Sequence, residues 1–242
     1  ARTDPVTGNT IDSLPLSSLD PLTFDNVLQQ LPNLKIVHGC GNYGDIVAYN
    51  NLFDIVRICK TRKIELLRLY TNGSARDNSY WAELGKISRD NVEVVFSIDG
   101  LEDTNHIYRE GSVWKFVQSN SQAFINAGGR AIWEMLVFSH NEHQVEDAKL
   151  LAESMGFAEF RVKKANRFHL VDQKTVQPPT DKKFKHTINA SSDITCKYEK
   201  MKWLYMSFEG EILPCCWVGG SKYKTNQSNN QLLKFYNNNN GQ

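Results

Sequence analysis

The chain has 242 residues, and its 28 Lys plus Arg nearly balance its 27 Asp plus Glu, so the formal net charge at pH 7 is +1. This balance excludes the strong basic field that favours nucleic acids, and no apolar run is long enough for a transmembrane helix. With 40% hydrophobic residues the chain can bury the core of one large domain, with or without a small appendage. We therefore expect a cytoplasmic protein with neither a nucleic-acid nor a membrane partner.

Strand and helix patterns alternate along most of the chain, after a first predicted helix over 22–31. Five apolar segments have the length and composition of strands covered on both faces, and amphipathic helical segments separate them. This alternation predicts an α/β fold with a parallel sheet, its strands in sequence order. The strands are predicted at 34–38, 66–70, 92–98, 131–138 and 159–163, and the helices between them at 51–60, 79–87, 113–127 and 144–155.

The alternation stops after residue 166. Residues 167–192 show no clear period and read as a connecting segment. A β-hairpin is predicted over 202–214, with Cys215 and Cys216 at its end, and an Asn-rich tail follows it. The sequence thus predicts a large domain over 1–166, a connection over 167–192 and a small cysteine-bearing unit over 193–242.

Polar residues follow several of the predicted strands. The first strand runs into a glycine loop ending at Asp45, the second into Thr71-Asn72-Gly73, and the third into Asp99. The carboxyl ends of parallel strands meet at one edge of a sheet, where α/β enzymes place their sites. The six histidines show no HxxxH or HExxH pairing, and we expect hydrogen-bonded or surface roles for them.

The five cysteines fall into three kinds. Cys59 lies on the apolar face of a predicted helix and is expected to act as a small buried hydrophobe. Cys40 stands in the glycine loop, where it is either a small residue or a ligand. Cys196, Cys215 and Cys216 flank the hairpin, and their spacing suits a metal or iron-sulfur cluster at least as well as a disulfide.

The segment Cys196-x13-Gly210-x4-Cys215 resembles the opening of a SPASM or twitch domain, the auxiliary-cluster extension of many radical S-adenosylmethionine (radical SAM) enzymes. Those enzymes use a partial (βα)6 TIM-like barrel, and the strand endings here are similar in order. The resemblance implies SAM contacts from the ends of the second to sixth barrel strands. The residues so implicated are Gly41, Asn42, Gly44, Asp45, Thr71, Asn72, Ser97, Asp99, Asn141 and Lys163.

The chain departs from that family in two respects. The C-terminal cluster is incomplete, because the cysteines that should follow the opening segment are absent after Cys216. The family holds a [4Fe-4S] cluster with a CxxxCxxC loop after its first strand, and this sequence contains no such motif. Only five strands are predicted, so the expectation is a barrel that lacks its first strand, in a chain truncated at both ends. The metal candidates are Cys196, Cys215 and Cys216, and the chain alone is expected to be inactive.

The resemblance implies a function for the parent enzyme. Such an enzyme takes an electron from a donor, cleaves SAM reductively to a 5'-deoxyadenosyl radical and abstracts hydrogen from its substrate. Relatives with SPASM domains often modify peptides, which favours a peptide or protein substrate. No side chain of this chain is assigned a catalytic role, because the implicated residues bind.

Two alternatives remain open on the sequence. Gly39-x-Gly41-x-x-Gly44 is a GxGxxG pattern, which predicts NAD binding in a Rossmann oxidoreductase, although the next strand lacks the acidic residue that binds the ribose. A non-catalytic binding protein that keeps the radical SAM fold is equally consistent with the absent CxxxCxxC loop.

Overall fold

The computed structural model describes residues 17–41, 44–165, 176–185 and 196–221. The chain divides into two compact units, one formed by Leu31–Ile188 and the other by Ala1–Gln30 together with Asn189–Gln242. The first helix therefore groups with the C-terminal unit. The predicted domain boundaries at 166 and 192 stay predictions.

The elements follow the predicted alternation closely. Three short helices, over Asn105–Tyr108, Lys197–Met201 and Cys216–Ser221, were not expected from the sequence. The strands are β1 (Ile36–Gly39), β2 (Leu66–Thr71), β3 (Val92–Ser97), β4 (Arg130–Val137), β5 (Glu159–Lys164), β6 (Tyr205–Met206) and β7 (Ile212–Leu213). The α-helices are α1 (Pro21–Gln30), α2 (Leu52–Thr61), α3 (Asn78–Ile87), α4 (Asn105–Tyr108), α5 (Trp114–Asn126), α6 (Val145–Met155), α7 (Lys197–Met201) and α8 (Cys216–Ser221), and 3-10 turns cover Ile46–Ala48, Glu142–Gln144 and Lys182–Phe184.

The first five strands form one parallel sheet in the order β1-β2-β3-β4-β5. This confirms the predicted α/β class and strand order. A Rossmann sheet places its first strand in the interior and starts a helix at the glycine loop, whereas β1 lies at an edge here and a 3-10 turn precedes α2. The Rossmann alternative is therefore wrong for this fold. Sequential right-handed crossovers add each new strand on the same side of the last, which leaves β1 at the edge.

One face of the sheet packs against the helices through aromatic rings. Phe96 of β3 lies 5.2 Å from Trp81 of α3 and 6.0 Å from Phe124 of α5, measured between ring centroids. All three side chains are fully buried. Burial of such rings contributes about 2 to 3 kcal/mol each, so these contacts fix the helices on the sheet and hold the strand ends in place.

The opposite face of the sheet carries charged side chains in register. Arg68 donates two hydrogen bonds to Glu93, and Arg130 donates a third from the next strand. Burial alone would raise the pKa of Glu93, but the hydrogen bonds from the two arginines outweigh it and hold the pKa below its usual value. Nearer the carboxyl end, Lys163 Nζ lies 2.8 Å from Glu134 Oε1.

In the second unit, β6 and β7 form an antiparallel pair joined by a turn that contains Gly210. Gly210 has a φ of 85°, and a Cβ there would lie 2.8 Å from the side chain of Thr23 in α1. The turn thus needs glycine both for its backbone and for the approach of α1. Within the described residues, every helix is too short or too polar to cross a bilayer.

Candidate functional site

The Asp45 carboxylate links the loop after β1 to the end of β2. Its Oδ1 accepts a hydrogen bond from Val47 N at 3.1 Å, which caps the 3-10 turn. Its Oδ2 accepts from Thr71 Oγ1 at 2.8 Å and from Asn72 N at 3.0 Å. The structure therefore brings together three of the residues that the resemblance implicates. Asn42 lies outside the described residues.

The Thr71-Asn72-Gly73 segment forms a tight turn through its own side chains. Thr71 Oγ1 accepts from Gly73 N at 3.0 Å, and Asn72 Oδ1 accepts from both N and Oγ of Ser74. Gly73 has a φ of 76°, and a Cβ there would lie 2.8 Å from Phe96. The side chains of this motif therefore stabilise the turn, and any contact with a ligand comes in addition to that structural role.

Two glycines of the loop after β1 differ in what they allow. A Cβ on Gly41 would lie 1.6 Å from the carbonyl oxygen of Gly44, which no side chain tolerates. For Gly44, no heavy atom of the described residues lies within 4 Å of such a Cβ. The loop is thus folded tightly on itself at Gly41 and open at Gly44, so a ligand can approach the backbone there.

Asp99 is fully buried just beyond β3. Its Oδ2 accepts from Arg109 Nε at 2.5 Å, and its Oδ1 accepts from Leu136 N at 2.6 Å. Burial raises the pKa of the Asp99 carboxyl, while the Arg109 charge and the Leu136 N–H oppose that rise. Both carboxylate oxygens are occupied, so the carboxylate joins the ends of β3 and β4. The SAM contact implied for Asp99 stays a prediction.

Asn141 is a second buried link between the same strands. Its Nδ2 donates to Asp99 O at 2.8 Å and to Leu136 O at 2.9 Å, and its Oδ1 accepts from Phe138 N at 2.7 Å. An amide saturated in this way holds backbone geometry. The SAM contact implied for Asn141 stays a prediction.

Ser97 and Lys163 lie on the charged face of the sheet. Ser97 ends β3 and stands opposite Glu134 of β4 in the strand register, and Lys163 pairs with the same Glu134. Hydrogen bonds therefore join the predicted residues into one group around Asp45 and another around Asp99. The Lys163–Glu134 ion pair is a third group. Whether a single ligand spans these groups stays a prediction.

Sequence reasoning missed Arg109 and Glu134. Glu134 carried a usable signal, because a single carboxylate inside the apolar strand 131–138 must face a polar surface or a cation. Arg109 carried none, since its partner lies ten residues earlier and its spacing matches no pattern.

His140, which follows β4, differs from the sequence expectation. Both of its ring nitrogens are buried, and neither has a hydrogen-bond partner among the residues that the structure describes. The ring stacks on Phe138 at 5.3 Å with an interplanar angle of 9°. Burial lowers the pKa of His140, and the nearby His106 and His143 lower it further. His140 is thus held as a neutral imidazole against an aromatic ring.

Replacing His140 with Phe is expected to stabilise the protein by about 1 kcal/mol at pH 7, because two unpaired buried nitrogens disappear and the stack remains. Since the folded-state pKa of His140 is lowered, protonation favours the unfolded chain. The contribution of neutral His140 to the free energy of unfolding is fully present above pH 6.5 and is lost as the pH drops through that value. The variant should lose less stability than wild type between pH 7.5 and 5.5, measured by urea unfolding. His38, whose pKa burial also lowers, leaves some dependence in both proteins. An unchanged pH slope would contradict the prediction.

The cysteines of the C-terminal unit are all reduced. Cys196 is exposed, Cys215 and Cys216 are half-buried, and Tyr198 Oη donates to Cys216 Sγ at 3.0 Å. In the described part of the chain, no group of three or more His, Cys, Asp or Glu side chains is close enough to hold a metal. The metal role of these three cysteines stays a prediction.

The two remaining cysteines behave differently from each other. Cys59 is fully buried in α2, and burial raises its pKa to about 12. It is therefore an inert hydrophobe, as expected. Cys40 is exposed beside the glycine loop.

A shallow cavity of about 360 Å³ lies beside the start of α3. Its lining includes Arg76, whose guanidinium is already bonded to Val47 O, Ala48 O and Asn50. We place the candidate site at the strand ends, because the polar groups converge there.

Comparison with solved structures gives the same fold. SuiB from Streptococcus suis bound to S-adenosylmethionine aligns with a TM-score of 0.58 and 15% identity, covering 87% of this chain and 56% of SuiB. A second SuiB structure aligns with a TM-score of 0.57 and 14% identity, covering 89% and 59%. At this identity the likeness shows the fold alone, and the chain spans little more than half of SuiB. SuiB bound to its precursor peptide SuiA gives a TM-score of 0.49 and 16% identity, covering 65% and 34%.

No protein-family model matches the sequence, and no curated protein sequence gives a significant match.

Proposed function

We propose that the chain is the SAM-binding part of a radical SAM enzyme that acts on a peptide or protein. One observation carries the proposal: five parallel strands in sequence order place the loops at Gly41, Asp45, Asn72 and Ser97 at their carboxyl ends, in a fold that aligns with SAM-bound SuiB. Clefts at the carboxyl ends of parallel strands are where such folds bind their ligands. The peptide substrate follows from the sequence resemblance.

The residues near the strand ends suit an amino-acid nucleoside. The open backbone at Gly44 offers peptide groups to a polar ligand, and Ser97 offers a hydroxyl. Lys163 supplies a positive charge, and its side chain is 56% exposed although it pairs with Glu134. We assign Asp45 to shaping the loop, because its two carboxylate oxygens accept hydrogen bonds from Val47, Thr71 and Asn72.

The [4Fe-4S] cluster does not fit this chain's own residues. A cluster that chelates SAM needs the three thiolates of a CxxxCxxC loop, and this sequence contains no such motif. We therefore assign no step to the cluster here.

The SAM-binding proposal is tested with a loop variant. Replacing Gly41 with Ala is expected to weaken SAM binding at least about tenfold by isothermal calorimetry, a loss of about 1.4 kcal/mol, because the added Cβ collides with Gly44 O and opens the loop. Replacing Glu83, which is exposed on α3, with Ala is the matched control and should leave binding unchanged. Absence of SAM binding by the wild type at millimolar SAM would contradict the proposal.

A non-catalytic binding protein is the second candidate, and the absent CxxxCxxC motif favours it. Anaerobic reconstitution with iron and sulfide tests whether this chain holds a cluster. Little stoichiometric iron and no 5'-deoxyadenosine are expected from this chain alone. Four irons per chain with SAM cleavage would show that the cluster ligands had been misassigned.

A further inference from the structure

The turn after β2 contains an Asn-Gly pair, Asn72-Gly73. Asparagine loses its side-chain amide readily before glycine, because glycine has no Cβ to obstruct the approach of its nitrogen to the side-chain carbonyl. A bond forms between Gly73 N and Asn72 Cγ, the bond from Cγ to Nδ2 breaks, and ammonia leaves with the proton of Gly73 N. Water then opens the five-membered succinimide to aspartate or isoaspartate. The net reaction is hydrolysis of a neutral amide to a carboxylate, with water as the only co-reactant.

Hydrogen bonds hold both of the groups that would react. Gly73 N donates to Thr71 Oγ1 at 3.0 Å, and Gly73 O accepts from Nδ2 of the buried Asn120 at 2.9 Å. Asn72 Oδ1 accepts from N and Oγ of Ser74, at 2.9 Å and 2.7 Å. Closure of the succinimide ring takes the Gly73 N–H away from Thr71 and moves Asn72 Cγ from its place beside Ser74. These bonds therefore oppose the reaction in the folded protein.

Asp45 fixes the hydroxyl group that holds Gly73. Thr71 Oγ1 donates its own hydrogen to Asp45 Oδ2 at 2.8 Å, which leaves its lone pairs to accept from Gly73 N. The same carboxylate oxygen accepts from Asn72 N at 3.0 Å. Thr71 is only 4% exposed, so water does not readily replace it as the acceptor. A chain of hydrogen bonds thus runs from Asp45 through Thr71 to the nitrogen that would attack.

We infer that Asn72-Gly73 is a latent deamidation site, which the Asp45–Thr71 pair shields in the folded protein. The inference does not depend on the proposed function, because it concerns the chemistry of the turn itself. Deamidation places a second carboxylate on the residue whose backbone N–H binds Asp45, and like charges so close together repel each other. The modification therefore weakens the attachment of the loop after β1 to β2, at the edge of the sheet where the candidate site lies.

Peptide mass spectrometry of aged protein tests the inference. Trypsin releases residues 69–76, in which Asn72 is the one asparagine. We expect Asn72 to lose its amide at least about tenfold more slowly in native protein than in guanidinium-unfolded protein at the same mildly alkaline pH, because the unfolded chain lacks the hydrogen bonds that ring closure breaks. A native rate within about twofold of the unfolded rate would overturn the inference.

Variants of Thr71 separate the local shield from the general effect of folding. Thr71→Val keeps the shape of the side chain but removes the acceptor of Gly73 N, so Asn72 should deamidate at least about fivefold faster than in native wild type. Thr71→Ser retains the hydroxyl and should keep the wild-type rate. Thr61→Val, at an exposed position of α2, is the matched control. An unchanged or slower rate in Thr71→Val would overturn the inference, and if that variant does not fold, the comparison of native with unfolded wild type decides alone.

Asn72→Asp reproduces the modification without ageing. Its carboxylate can still accept from Ser74, so a fall of about 2 to 4 °C in the melting temperature is expected from repulsion by Asp45 alone. Asn33→Asp, at an exposed position before β1, is the matched control and should leave the melting temperature unchanged. A wild-type melting temperature for Asn72→Asp would overturn the claim that deamidation weakens the attachment of the loop.

Discussion

Replacing Asp99 with Ala is expected to lower the free energy of unfolding by about 3 kcal/mol. Removal of one partner of a buried pair leaves the other without compensation, at a cost of about 3 to 5 kcal/mol, and the partial exposure of Arg109 places the value at the lower end. Leu136 N also loses its acceptor. Since whole domains are stable by about 5 to 15 kcal/mol, this single change removes a large share of that stability.

Urea unfolding followed by circular dichroism measures the effect of Asp99→Ala. Glu102, which is exposed three residues further on, is the matched control, and its replacement with Ala should change stability by less than about 0.5 kcal/mol. The loss of stability for Asp99→Asn should lie between those of Asp99→Ala and the Glu102 control, because the amide oxygen can still accept from Leu136 N. A loss below about 1 kcal/mol for Asp99→Ala would show that the ion pair does not hold the ends of β3 and β4 together.

Replacing Asp45 with Ala is expected to cost about 2 kcal/mol and to weaken SAM binding at least about tenfold. The carboxylate accepts hydrogen bonds from Val47, Thr71 and Asn72, and bonds to a charged group contribute about 1.5 to 3 kcal/mol. Without them the loop after β1 loses its attachment to β2. Part of the free energy of SAM binding is then used to order the loop, so the measured affinity falls.

Two measurements check the Asp45 prediction: urea unfolding for stability and calorimetry for SAM affinity. Asp54 is the matched control, because it is a nearby exposed aspartate whose pairing with Arg57 contributes little. If Asp45→Ala lowered stability but left SAM affinity intact, the loop after β1 would be structural only, and the SAM site would have to lie elsewhere.

The strand order was predictable from sequence because it depends on local signals. Apolar runs of strand length separated by amphipathic helices allow few arrangements, and right-handed crossovers reduce those to a sequential sheet. The GxGxxG pattern misled for a related reason. Glycines at 39, 41 and 44 satisfy a fingerprint, but Gly41 is required by its contact with Gly44 O, and no helix starts at this loop.

The candidate site was only partly predictable. Asp45, Thr71 and Asn72 were singled out as strand-end residues, and the structure joins them, but it does so with bonds among themselves. A polar side chain after a strand can face a ligand or cap a turn, and the sequence is the same in both cases. The distinction depends on which backbone N–H groups lie within about 3 Å, and that is a property of the packed fold.

By itself, the sequence determined the α/β class, the order of the five strands and the edge at which polar residues gather, because hydrophobic periodicity and short connections act locally. Only the tertiary structure decided that Asp99 and Asn141 are buried links and that Arg109 pairs with Asp99. Those roles depend on groups brought together from different strands. The free energy of a polar group is set by whether such a partner replaces the water it loses on burial.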